Sequence, residues 1–331
     1  MAEVKLNLYP NVDGTCTFFP GDTIKEFYIH IFGEATANWS SRSCDTTTYY
    51  TGKEPLLDFK FTVLGKHKGP KFILESGVYK CHYTFKLPDN IPYSLVISGG
   101  QFSSKSGTIN YHVEAVLVMS WLNIGDRVGF TVIREDDLNL YPELKLPLKS
   151  VQNKIFSFFF KKDEILRMSV SIPYSGFTVN QRIPITIEYK NESTVDIHHT
   201  DIRFIQVLTL VLPREGNPKK KKKEMVISSE STAGVLANSS KTIKTELVVP
   251  KVFKSNDKFC MVVSINYLIE VVADVKSGCH LNKKIRFPIT IGNVPIRTND
   301  QVRSYDTYRP RGIAYNNDSP PSFDEALNFV R

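Results

Sequence analysis

Histidine and cysteine are the residue types here best suited to nucleophilic, redox or metal chemistry, and their placement speaks against all three. His30, His67, His82, His112, His198, His199 and His280 are dispersed over both halves of the chain. Cys16, Cys44, Cys81, Cys260 and Cys279 are odd in number and lack the Cys-x-x-Cys spacing of zinc and thiol–disulfide sites. Cys81-His82 and Cys279-His280 are adjacent pairs, but neighbours on a strand point to opposite faces. They are poor ligand or nucleophile–base pairs. No G-x-S-x-G, H-E-x-x-H, Walker-type or G-x-G-x-x-G string occurs. No catalytic, cofactor-binding or metal-binding residue is assigned, and the chain reads as a non-enzyme.

Two other segments carry binding chemistry instead. Near the end, Pro320-Pro321-Ser322-Phe323 offers a preformed polyproline II surface with Phe323 as an anchor for an aromatic groove. The same residues also fit a helix start, because Ser322 and Glu325 form a capping box. Phe323, Ala326, Leu327 and Val330 would then make one apolar stripe, a helix too short to form without a partner. The second segment is Lys219, Lys220, Lys221, Lys222 and Lys223, preceded by Gly216-Asn217-Pro218. It reads as a hairpin tip. Such a charge run is a solvated loop, an anchor for an anionic lipid surface, where each lysine adds about 1 kcal/mol before screening, or, third, a nuclear-import patch.

The elements that must position these segments are strands. Glu26–Phe32 alternates polar residues with Phe27, Ile29 and Ile31, the period of a half-buried strand. Leu57–Leu64, Gly77–Leu87, Thr108–Leu117, Val128–Arg134, Met168–Ile172, Ile183–Lys190, Asp201–Leu212, Lys241–Val249, Cys260–Val272 and Ile285–Ile291 read the same way. They are rich in Val, Ile, Phe, Tyr and Thr, and bounded by Gly, Pro, Asn or Asp. No helical pattern separates them, which favours antiparallel sandwiches over a parallel α/β sheet.

The strands also repeat. Ile109-Asn110-Tyr111-His112-Val113-Glu114-Ala115 returns as Ile265-Asn266-Tyr267-Leu268-Ile269-Glu270-Val271 at an offset of 156. Leu87-Pro88 answers to Val249-Pro250 at 162, and Gly21-Asp22-Thr23-Ile24 to Asn180-Gln181-Arg182-Ile183 at 159. The Gly21/Asn180 exchange suits a turn with positive φ, which glycine allows freely and asparagine tolerates. A sandwich of about 140 residues, an ordinary domain size, is therefore duplicated in tandem. Arg134–Asn153 is charged and contains proline, and is the expected connection. Its Glu135, Asp136 and Asp137 look like an acidic hinge that pairs with basic residues of the second copy.

The 331 residues are about two domains' worth, and 41% are hydrophobic, enough to fill two cores. Residues 1–150 carry 15 Lys+Arg against 16 Asp+Glu, leaving 27 against 18 in residues 151–331 out of the totals of 42 and 34. The net +8 thus belongs to the second half, and would favour anionic surfaces. Nothing in it is dense enough to indicate a nucleic-acid partner. Met1–Pro10 has no apolar core of signal-peptide length, and no stretch approaches the ~20 apolar residues of a membrane span. The expected compartment is the cytoplasm, with the cysteines as reduced core thiols.

Landmarks along nearly the whole chain resemble the arrestin family, and within it the α-arrestins of animals. The first half is matched through Phe19-Pro20-Gly21-Asp22-Thr23-Ile24, Gly33-Glu34-Ala35 with Trp39, Gly77-Val78-Tyr79, Phe85-Lys86-Leu87-Pro88, Pro92-Tyr93-Ser94-Leu95 and Gly107–Ala115. The second is matched through Pro173-Tyr174-Ser175-Gly176-Phe177, Ile183–Glu188, Asn191-Glu192-Ser193 and Pro288–Ile296. The resemblance implies an all-β arrestin fold of two tandem antiparallel immunoglobulin-like sandwiches. Residues 1–150 form the first, with the linker from about 134; residues 151–293 form the second; residues 294–331 are a mostly disordered tail.

In function it implies a non-enzymatic adaptor. Such a protein binds membrane-protein cargo at the plasma membrane or endosomes and recruits WW-domain ubiquitin ligases through Pro-Pro-x-Tyr motifs. Here Phe323 replaces that tyrosine. Losing a hydroxyl hydrogen bond costs about 0.5–1.5 kcal/mol, up to roughly tenfold in affinity. A retromer-like coat subunit without a ligase tie is the alternative, and the phosphate-sensing polar core of receptor-uncoupling arrestins has no residue-by-residue match.

Overall fold

The alternation at Glu26–Phe32 opens a much longer element. The computed structural model describes residues 24–65, 85–97, 105–119, 123–156, 164–256, 258–275 and 282–297. In it β1 (Ile24–Ser43) turns at Cys44 into β2 (Thr46–Gly65). β3 (Leu95–Ile97), β4 (Lys105–Met119) and β5 (Asn123–Phe130) complete an antiparallel sheet in which β4 pairs with β1, β3 and β5. Along β1, Ile31, Gly33, Ala35, Ala37 and Trp39 are buried while the residues that alternate with them are half-exposed. That is the period-2 pattern the sequence carries.

The second half is a sandwich of two sheets. One is ordered β12-β9-β7-β6, from β6 (Leu148–Phe156), β7 (Glu164–Ile172), β9 (Arg182–Glu192) and β12 (Ser239–Val248). The other is ordered β11-β10-β13-β14-β8, from β8 (Gly176–Thr178), β10 (Ile197–Leu212), β11 (Lys219–Val235), β13 (Val263–Val275) and β14 (Lys283–Gly292). β8 joins β14 in a parallel pair; the other strand pairs are antiparallel. Val170, Ile185 and Ile187 from one sheet and Phe204, Tyr267 and Ile269 from the other fill the space between, each almost wholly buried. Each such side chain contributes about 1.5–3 kcal/mol on leaving water. Tyr189 and Thr200 hydroxyls, 2.8 Å apart, satisfy each other inside this core.

The two halves share one strand order. β2-β1-β4-β5 corresponds to β11-β10-β13-β14, each strand antiparallel to its neighbour. The repeated Ile-Asn-Tyr string falls on β4 and β13, and its tyrosine has one job in both. Tyr111 donates to the Pro92 carbonyl and Tyr267 to the Phe253 carbonyl, each at 2.7 Å. Asn180 has φ 65°, as its place opposite Gly21 in the repeat requires.

Several expectations need correction. The connection Arg134–Asn153 is not irregular throughout: it forms two 3-10 turns, Leu138–Leu140 and Pro142–Lys145, and then enters β6. β6 is an outer strand exposed over most of its length, so no apolar period marks it. Lys219–Lys223 is not a hairpin tip. These residues begin β11, paired with Leu212–Leu208, and the turn lies before them. Cys44 is exposed at the β1–β2 turn with φ 49°, where no core reaches it, whereas Cys260 is buried. Val294 bridges Asp137 and Ile296 is 4% exposed, so the body continues past Asn293. Most of the strand expected at Gly77–Leu87, and Cys16, Cys81 and Cys279, lie outside the described residues.

Candidate functional site: a charged junction and a basic edge strand

The halves meet where the β1–β2 hairpin runs against β10 and the loop before β13. Gly52 makes this approach feasible, since a Cβ there would collide with the Val211 carbonyl. Two residues on, Glu54 extends a carboxylate oxygen to the amides of Met261 (2.7 Å) and Val262 (3.1 Å). Tyr93 donates to the Lys254 carbonyl at 2.6 Å. Burial, followed by the fields of Tyr267 and Asp136, pushes its phenol well above the ordinary range, so it stays a donor.

The connection supplies the charges. Asp136 pairs with Lys254 at 2.7 Å and with Arg134 at 3.2 Å, and its amide donates to the Asn293 side chain at 2.6 Å. Lys254 also donates to the Arg134 carbonyl. The Arg134 guanidinium lies 3.7 Å from the Phe259 ring centre, and Lys258 lies 3.4 Å from that of Tyr141. The pairing expected of Asp136 with a basic residue of the second half is present through Lys254, although Asp136 is only 19% exposed and not solvated as expected, and its other partner, Arg134, belongs to the connection itself. Glu135 is exposed, while Asp137 caps the first 3-10 turn through the Asn139 amide. The cleft between these groups has a cavity volume of ≈ 40 Å³, far below the ~300 Å³ at which small-molecule sites begin. Cys260 beside it has its thiol pushed up to about 11, first by burial. It is a poor nucleophile at neutral pH. This is a joint.

The five lysines occupy an edge strand of the second half. Lys219 stacks 4.8 Å from the Tyr50 ring centre, tying β11 to the β1–β2 hairpin. Lys222 pairs with Glu224 at 3.3 Å, and Glu224 with Arg286 at 3.0 Å. Burial opposes ionisation of Glu224, but hydrogen bonds from Arg286 and Lys222 outweigh it and hold the carboxyl below its usual range. Arg286 in turn holds the buried Glu270 at 2.6 Å, and Glu270 faces Arg203 at 3.4 Å, which pairs with Asp201 at 2.9 Å. A ladder of alternating charge thus crosses the sheet's outer face. Lysines on an edge also discourage edge-to-edge pairing with a second chain.

The tail residues Pro320, Pro321, Ser322, Phe323 and Leu327 lie outside the described residues. His198, His199 and Asp274 bring their ligating atoms within 4.8 Å of one another, a grouping that sequence reading did not find. No helix among the described residues is long and apolar enough to cross a membrane.

Two halves of matching strand order, joined at this junction, define an arrestin-type protein. Residues 10–139 match the family described as arrestin (or S-antigen), N-terminal domain, and residues 162–296 match arrestin (or S-antigen), C-terminal domain. The chain is similar to arrestin domain-containing protein 17 of Caenorhabditis elegans, 23% identical over 318 residues that make up 91% of this chain and 71% of the relative. It belongs to the arrestin family and is α-arrestin-like, a family whose general role is that of a trafficking adaptor and whose members are generally non-enzymatic.

Proposed function

We propose that this chain is a cytoplasmic adaptor, peripheral at the plasma membrane or endosomes. Its body grips membrane-protein cargo, and the segment around Pro320, Pro321, Ser322, Phe323 and Leu327 links it to endosomal sorting or ubiquitination machinery. The observation that carries this reading is the junction. Glu54, Tyr93, Asp136 and Lys254 lock the two halves into one body with no room for a substrate in the cleft between them. Such a body offers extended surfaces. Lys219–Lys223 on the edge of β11 add attraction to anionic membrane lipids, at about 1 kcal/mol each before screening. No nucleic-acid partner and no cofactor enter the reading.

Phe323 in place of the tyrosine of a WW-binding motif favours a second reading, a structural coat subunit of endosomes without ligase recruitment. Affinity purification from cells of the full chain, beside a chain ending at Arg297, tests both. The adaptor reading expects cargo on both forms and a ubiquitin ligase on the full chain alone. Coat components on both forms with no ligase on either would replace it with the second reading. Loss of all partners from the shorter form would refute a cargo-gripping body.

A further inference from the structure

The pairing of β10 with β13 slips by one residue at its start: Ile197 faces Val275, and His199 faces Asp274. His198 is thus an extra residue on β10, and such a bulge sets two residues against one and re-aims their side chains. On a regular strand His198 and His199 would point to opposite faces. Here their Nδ1 atoms are 2.9 Å apart, and His199 Nδ1 is 3.4 Å from a carboxylate oxygen of Asp274. Gly234 on the neighbouring strand makes room, because a Cβ there would strike the carbonyls of Ile197 and His198.

Two imidazole nitrogens and a carboxylate so close together either share a proton or share a metal ion. Zinc bonds of about 2.0–2.1 Å set tetrahedral ligands roughly 3.3 Å apart. The 3.4 Å edge already fits, the 2.9 Å edge needs a few tenths of an ångström of opening, and the third, from His198 to Asp274, lies within 4.8 Å and closes by side-chain rotation. A second observation bears on the choice. His199 Nε2 faces Asp201 at 3.4 Å, and Asp201 is itself held by Arg203 at 2.9 Å and by the Ser231 hydroxyl. A ligating histidine whose other nitrogen faces a fixed carboxylate is the arrangement that orients metal-binding imidazoles.

We propose that His198, His199 and Asp274 bind one divalent transition-metal ion of the zinc type through His198 Nδ1, His199 Nδ1 and the Asp274 carboxylate, with Asp201 positioning His199. Two nitrogens and one oxygen suit Zn²⁺ or Co²⁺ over the all-oxygen shells of Ca²⁺ and Mg²⁺. The charged groups facing the site are Asp201, Asp274 and Arg203, and the carboxylates outnumber the guanidinium. Three protein ligands at the surface leave the fourth position to water or to a group from another chain.

Equilibrium dialysis of the full chain against Zn²⁺, with Co²⁺ absorption as a second probe, tests this. One ion per chain is expected, with a cobalt spectrum free of thiolate charge transfer. His199→Ala or Asp274→Ala should weaken binding by roughly 100-fold or more, and Asp201→Asn by roughly 10–100-fold. His30→Ala, at a histidine that pairs with Asp58 in the other half, should leave it unchanged. If the His199 or Asp274 variant fails to fold, the exposed His198→Ala carries the same expectation. No bound zinc, binding undisturbed in the His198 and Asp274 variants, or a thiolate signature from the cysteines would overturn the proposal. The first of these outcomes would assign the pair to a shared proton.

Discussion

Replacing Glu54 should loosen the two halves by an amount that its hydrogen bonds fix. From β2 it crosses the junction, and one carboxylate oxygen takes both the Met261 amide at 2.7 Å and the Val262 amide at 3.1 Å. A hydrogen bond to a charged partner contributes about 1.5–3 kcal/mol net. Two amides that share an oxygen do not add fully, and Met261 is 76% exposed, so water replaces part of its loss. Val262 is fully buried and has no such recourse. Glu54→Ala should therefore cost about 2–3 kcal/mol, and Glu54→Gln, which keeps an uncharged acceptor, about 1 kcal/mol.

Urea unfolding followed by tryptophan fluorescence reads both values, with Trp39 buried in the first half as a reporter. One hydrophobic core runs from Trp39 through to Val263 and Tyr267, so the wild-type chain should unfold in a single transition. The variants should lower its midpoint without changing its slope. An alanine variant within about 0.5 kcal/mol of wild type, or a glutamine variant as unstable as alanine, would refute the reasoning.

Thiol labelling at pH 8 should modify Cys44 quickly and Cys260 only on unfolding. Because burial raises the Cys260 thiol from 9.0 to about 11, its contribution to stability is complete below pH 9 and is lost as pH climbs towards 11. Cys260→Ala should flatten that alkaline loss. Replacing Lys219–Lys223 together with alanine should abolish flotation with acidic vesicles and leave neutral vesicles unaffected; unchanged flotation would remove the membrane contact. Ending the chain at Asn293 should destabilise it by about 2–4 kcal/mol relative to ending at Arg297. The cut removes the Val294 pairing with Asp137 and the buried Ile296, and equal melting temperatures would count against that account. Tyr267→Phe should cost more than Tyr111→Phe in the same melts, each about 1–3 kcal/mol, because the Tyr267 hydroxyl also accepts from Gln206 at 3.1 Å.

What the sequence made legible were positions with two-sided physical demands. The half-buried strands announce themselves because one face must be apolar and the other need not be. Tyr111 and Tyr267 repeat because each must be both buried and hydrogen-bonded. β6 and the start of β11 were missed because outer strands leave much of both faces in water, where five lysines cost nothing. β3 and β8, three residues each, are too short to show any period. At the junction the charge of Asp136 suggested a pairing role. Its partner Lys254 is 118 residues away, however, and only the fold brings the two together. The His198–His199 pair was hidden by the rule that made the strands readable. Alternation forbids neighbours to share a face, and a one-residue bulge suspends it.

The duplication shows the same limit at a larger scale. Val113 on β4 answers to Ile269 on β13; β4 pairs Val113 with Ile31, and β13 pairs Ile269 with Phe204. Ile31 therefore corresponds to Phe204, an offset of 173, although the turn upstream matches at 159. Seven positions separate Ile24 from Ile31, where twenty-one separate Ile183 from Phe204, so the first half is fourteen residues shorter in this interval. The second half uses that length for β9, a central strand of its second sheet. The first half has no room there for an equivalent, since β1 already begins at Ile24. The turn and the Ile-Asn-Tyr string gave no sign of this, because they flank the difference and their own demands are unchanged. What the first half gains instead is support from its neighbour: Gly52 closes on Val211, Tyr50 lies under Lys219, and Glu54 binds the loop before β13. The junction is thus part of how the first half completes its own structure, and the two halves share a core that runs from Trp39 to Tyr267.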